Sequence, residues 1–129
     1  MTEILIEKKP ELVIGMAKLC GSEDEIFFAS LATEDGFPIY SVGVGYEEDK
    51  FAAINSTITA LSNSCSKEVL KEEFLVTTIE GSSGNILFVK TNYLDLSCVL
   101  MVASKTNKTT LAKCRYKTIN MAKEISSIR

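Results

Sequence analysis

Apolar positions along this chain follow two patterns, one recurring every third or fourth residue and one running on without a break. Pro10 to Cys20 (PELVIGMAKLC) shows the first. Leu12, Met16, Leu19 and Cys20 share a helical face, Pro10 suits a first turn, and Gly21 suits the position after the last. The second pattern begins at Ile26. A strand over Ile26–Thr33 and another over Ile39–Val44 flank Asp35-Gly36, a dipeptide that accepts the positive φ of a tight turn. Pro38 has no N–H for a ladder bond, which places it at the start of its strand or on an edge.

From Tyr46 to Leu70 the helical period returns. Phe51, Ile54, Ile58, Leu61 and Cys65 step by three and four, beside the small residues Ala53, Ser56, Thr57 and Ala60. The acidic run Glu47-Glu48-Asp49 sits where a helix dipole favours negative charge, and is read as a helix start rather than a catalytic pair. Continuous runs then predict strands over Phe74–Ile79, Ile86–Lys90 and Leu96–Ala103, the first two joined by EGSSGN as a hairpin. Lys90 and Asp95 are read as solvated residues flanking the last hairpin loop. A closing helix over Leu111–Ile128 places Leu111, Cys114, Met121, Ile125 and Ile128 on one face. The strands are apolar on both parities, as strands covered on both faces are. The expected fold is therefore α+β: a three-layer sandwich of topology α-β-β-α-β-β-β-α. Its five-stranded antiparallel sheet has the middle helix on one face and the two terminal helices on the other.

The sequence of 129 residues is expected to form a single domain, residues 1–129, with residues 1–9 as an amino-terminal extension. A net charge of −3 predicts neither nucleic acid nor an anionic membrane as an obligate partner. The absence of histidine removes Ser–His–Asp and Cys–His nucleophiles and most zinc sites. The four cysteines, Cys20, Cys65, Cys98 and Cys114, form no C-x-x-C pair and are read as packing residues. Residues 81–85 (GSSGN) lack the lysine and the following helix of a phosphate-binding loop. No catalytic, metal or cofactor residue is expected. With no leader pattern and no membrane-length apolar run, a cytoplasmic protein without an integral membrane segment is expected.

Three phrases, SLATEDGFPIYS, FAAINSTITAL and VTTIEGSSGNILFV, stand in the order and spacing seen in the roadblock family. The chain resembles that family, which includes dynein light chains, Ragulator subunits and bacterial polarity regulators, from about Pro10 to Ser127. Tyr40 departs from it, being bulkier than the usual small residue. The resemblance implies sheet order 2-1-5-4-3, with the third strand on an edge, and a homodimer, or a heterodimer with a paralogue. In such a dimer, third strands pair and middle helices pack against each other. The implied interface comprises Phe51, Ile54, Ser56, Thr57, Ile58, Leu61, Cys65, Phe74, Leu75, Val76, Thr77, Thr78 and Ile79. Independently, the third strand carries no proline or charge of the kind that protects solitary edges.

The resemblance further implies a non-enzymatic module that binds and regulates, or scaffolds, a small Ras-like GTPase. The alternatives are an assembly adaptor without a GTPase and a small-molecule sensor. Charge asymmetry toward the carboxyl end offers a possible docking set: Lys105, Lys108, Lys113, Arg115 and Lys117.

Overall fold

The computed structural model describes residues 6–21, 26–43, 47–105 and 111–129. Its elements are α1 (Pro10–Cys20), β1 (Ile26–Thr33), β2 (Pro38–Gly43), α2 (Glu48–Val69), β3 (Val76–Glu80), β4 (Gly84–Tyr93), β5 (Leu96–Lys105) and α3 (Leu111–Ser126). All five strands join one antiparallel sheet in the order β2-β1-β5-β4-β3. Helices α1 and α3 cover one face, packing on each other, while α2 covers the other against β1, β2 and β5. This is the expected sandwich.

Local chemistry explains the connections. In the β1–β2 turn the Thr33 hydroxyl accepts the Phe37 N–H at 2.9 Å and donates to the Asp35 carboxylate. Gly36 takes φ +99°, and Ser56 of α2 would lie 3.3 Å from a Cβ placed there, so both conformation and space call for glycine. Pro38 is the first residue of an edge strand, where its missing N–H costs no ladder bond. Between β4 and β5 only Leu94 (φ 50°) and Asp95 (φ 67°) intervene, two left-handed residues that give the twist a hairpin turn needs.

The core is divided by the sheet. On the α1/α3 side, Leu31, Leu87, Leu100 and Val102 from the sheet meet Leu12, Met16, Met121 and Ile125 in one continuous cluster. On the α2 side a smaller cluster holds Phe28, Phe88, Val99, Met101 and Ala103. Tyr93 is fully buried; its hydroxyl donates to the Glu7 carbonyl and accepts the Lys9 N–H at 2.9 Å. These two bonds tie the segment before α1 to the end of β4.

Several expectations are corrected. The third strand begins at Val76, two residues late, because Phe74 turns inward and Leu75 outward before pairing starts. It also ends on Glu80, so it is not free of charge. Both β4 and β5 run two or more residues beyond their expected ends: Thr91, Asn92 and Tyr93 continue the ladder to the tight turn, and Ser104 and Lys105 pair with Asn85 and Gly84 at the other end. Lys90 is not a solvated loop residue. It lies within β4, 3.6 Å from Glu73 and with its ammonium 5.4 Å from the Phe74 ring centre. Cys98 and Cys114 are packing residues as expected, but Cys65 is exposed on α2.

Candidate association surface

Helix α2 is amphipathic in an unusual sense. Its buried positions are Ala52, Asn55, Thr59 and Ser66, small or polar residues spaced by three, four and seven. Its apolar stripe points the other way: Ile54 is 39% exposed and Leu61 64%, while Cys65, Val69 and Leu70 are exposed as well. Only Phe51 and Ile58 reach inward, half-buried against the small cluster, with Phe51 tilted on Phe28 at 5.1 Å between ring centres. The two stripes sit about 130° apart on the helix, from a rotation of about 100° per residue.

The inward face is anchored by polar contacts. Asn55 Nδ2 donates to the Val99 carbonyl at 3.1 Å, and Ser66 Oγ to the Glu72 carbonyl at 2.7 Å. The hydroxyls of Ser62 and Thr77 hydrogen-bond across to β3, and Asn63 Nδ2 reaches Glu34 Oε1 at 3.4 Å. Asn55 Oδ1, Thr59 Oγ1 and Asn63 Oδ1 are buried without a protein partner. Such seating positions the helix while burying little apolar area, and unpartnered buried groups subtract from it.

Beside the outward stripe lies β3, which among the described residues pairs with β4 alone and leaves its other edge open. Thr77 and Ile79 lie opposite Phe88 and Ile86 on the α2 face; Val76 and Thr78 lie opposite Val89 and Leu87 on the other. Between α2 and β3 runs a groove of about 720 Å³, with Ile58, Leu61, Cys65 and Val69 on one wall and Leu75 and Ile79 on the other. Leu75 is 75% exposed.

Most of the residues expected from the sequence to form an interface are brought together on this margin. Ile54, Ile58, Leu61 and Cys65 line up on α2, while Leu75, Val76, Thr77, Thr78 and Ile79 follow along or just before β3. Two depart from that surface: Ser56 packs under the β1–β2 turn against Gly36, and Phe74 is buried beneath Lys90. Thr57 is exposed, its hydroxyl donating to the Ala53 carbonyl at 2.9 Å.

The basic docking set does not converge. Lys105 ends β5 and lines a groove with Phe27 and Phe51 on the α2 side. Lys117 faces the α1 flank of α3 beside Lys18, and Arg115 faces the β3 flank. Lys113 lies on α3, and Lys108 falls outside the described residues. Sequence reasoning passed over Lys123, which shares the β3-facing flank with Arg115; their spacing of eight, with Ile119 midway, was the available signal.

Burial pushes the Cys98 thiol up to about 12, aided by the charges of Glu34 and Asp35 and opposed by a hydrogen bond with the Tyr93 backbone. Burial raises Cys20 to about 11. Both are therefore protonated at neutral pH and poor nucleophiles. Among the described residues, no three His, Cys, Asp or Glu side chains cluster as metal ligands. No helix among them is long and apolar enough to cross a membrane.

No family model matches the sequence, and no curated protein matches it either. Solved structures do. MglB from Myxococcus xanthus superposes with TM-score 0.80 at 18% identity, covering 93% of this chain and 95% of that one. An MglB described as having a tetrameric arrangement gives TM-score 0.81 at 13% identity, with 98% and 95% covered. A Roadblock/LC7 domain from Streptomyces avermitilis gives TM-score 0.76 at 18% identity, with 87% and 92% covered. The chain has the roadblock fold.

Proposed function

We propose that this roadblock-fold chain is a non-enzymatic, dimerising module that binds a small Ras-like GTPase and regulates it or scaffolds a complex around it. The observation that carries the dimer is the reversed seating of α2, whose apolar stripe faces outward beside an unpaired strand edge. A two-fold axis along β3 would join two sheets into one of ten strands and bring the two α2 stripes together. Each apolar side chain fully buried there contributes roughly 1.5–3 kcal/mol. Four or five per protomer offset an association cost of about 4–15 kcal/mol. Self-association is supported by a structure of this fold described as an MglB with tetrameric arrangement.

The GTPase assignment is supported by likeness of fold to MglB and roadblock domains. A dimer would act by contacting one conformation of the GTPase switch loops more favourably than another, which shifts their populations. Donation of an arginine finger has little support. The chain has two arginines: Arg129 follows α3, and Arg115, on α3, lines the α2–β3 groove assigned to the dimer. Any acceleration would come from reorienting the GTPase's own residues.

Light scattering tests the dimer. The wild-type chain is expected at about 28 kDa, twice 14.2 kDa. Leu61→Asp combined with Ile79→Lys, both at exposed positions, is expected at the monomer mass with unchanged circular dichroism. A monomeric wild type, or an unaltered dimer in the variant, removes the interface. Capture from native cytoplasm with GDP or a non-hydrolysable GTP analogue then tests the partner. Nucleotide-independent recovery of other subunits, with no GTPase among them, favours the adaptor reading.

A further inference from the structure

On the sheet face opposite α2, helix α3 lies along β4 and leaves the strip toward β3 open. The resulting groove, about 340 Å³, has Arg115, Ile119 and Lys123 along its α3 wall and Leu75 and Val76 along the other. The three α3 residues are spaced by four and four, forming one row whose end charges stand about 12 Å apart along the axis. No carboxylate lines the groove among the described residues. The nearby Glu73 is committed to Lys90, and neither Arg115 nor Lys123 forms an ion pair among the described residues. The apolar side chains lie between the cations, with Ile119 and Val76 half-buried and Leu75 projecting.

We propose that this groove docks an acidic segment of another protein, in which two carboxylates about 12 Å apart bracket an apolar side chain. The charge pattern selects the occupant: Arg115 and Lys123 form no ion pair among the described residues, an apolar strip lies between them, and the nearby Glu73 is paired with Lys90, which also lines the groove. An extended segment with acids four residues apart spans about 13 Å and matches the row. A flat anionic membrane meets the cations but cannot reach the recessed Ile119, and the chain's net charge of −3 opposes both lipid and nucleic acid. The groove's α3 wall lies on the other face of the sheet from the α2 stripe, while Leu75, Val76 and Arg115 line both this groove and the α2–β3 groove, so the two sites adjoin at the β3 edge.

The probe is a fluorescein-labelled, end-capped Glu-Ala-Leu-Ala-Glu peptide, read by anisotropy with the full chain at low salt, against Gln-Ala-Leu-Ala-Gln. The acidic peptide is expected to bind and the neutral one to bind at least tenfold more weakly. Arg115→Glu with Lys123→Glu should weaken binding at least tenfold, and the milder Arg115→Gln with Lys123→Gln at least threefold. Lys18→Glu with Lys67→Glu, an equal change of charge elsewhere, should leave binding within twofold. Absence of binding, or equal loss in both charge-reversed variants, overturns the proposal. It is also overturned if the Arg115/Lys123 variants bind normally to the peptide but lose phosphatidylserine vesicles. A fall in the chain's own oligomeric mass in those variants would assign the groove to a second copy instead. An unchanged mass with lost peptide binding separates this site from the α2–β3 dimer margin.

Discussion

The two faces of the sheet are built on different principles. Under α1 and α3, leucines from the strands meet leucine, methionine and isoleucine from the helices, and the cluster is continuous from Leu12 to Ile128. Under α2, the sheet offers five buried apolar residues and the helix answers with buried alanine, asparagine, threonine and serine and with only half-buried Phe51 and Ile58. The first interface is built to hold the fold together. The second holds a helix in position while its oily side faces outward. A chain spends apolar residues on a solvent-facing stripe only at a cost in solubility, unless another surface covers them.

This contrast can be broken at three points. The largest effect is expected from Leu100→Ala in the α1/α3 core, a loss of about 3–5 kcal/mol in urea unfolding, because the cavity adds to the lost transfer energy. A loss below about 1 kcal/mol would mean that this core is not the main source of stability. On the other face, Thr59→Val keeps the shape and removes a buried hydroxyl with no protein partner, so a gain of about 1 kcal/mol is expected. Destabilisation there would reveal a partner for that hydroxyl and a seat for α2 better satisfied than described. The smallest change is expected from Leu61→Ser at the exposed stripe: within about 0.5 kcal/mol of wild type for the monomer in dilute unfolding measurements. Sedimentation equilibrium should nonetheless show weaker self-association. If Leu61→Ser instead unfolds the monomer, the stripe belongs to the chain's own core and the contrast fails.

Much of this architecture was readable in the residues because period and punctuation agreed. Pro10 and Gly21 bracket α1, Asp35-Gly36 marks the β1–β2 turn, and the strands' double-sided apolarity called for cover on both faces. The β4–β5 turn was less legible. Leu94-Asp95 lacks the glycine or asparagine that announces left-handed φ, and Thr91-Asn92-Tyr93 resembles loop rather than strand. The stripe on α2 was found by its period, but a period cannot say which way a stripe faces. Here burial went to the residues between the apolar ones, because Ala52 is small and Asn55 hydrogen-bonds the Val99 carbonyl of β5. Lys90 was misjudged for a similar reason: its ammonium is held by Glu73 and the Phe74 face, contacts brought together only by the fold. The basic residues counted near the carboxyl end were close in sequence but divided in space, since Lys105 ends β5 on the α2 side while helix rotation sends those of α3 to different flanks.

The Tyr93 hydroxyl, donating to the Glu7 carbonyl and accepting the Lys9 N–H, fixes where the backbone ahead of α1 crosses the molecule, at the corner by the β4–β5 turn. A tether, tag or fused module attached upstream therefore sets out from that corner. Its reach toward the α2 stripe or the Arg115 row is governed by linker length measured from there.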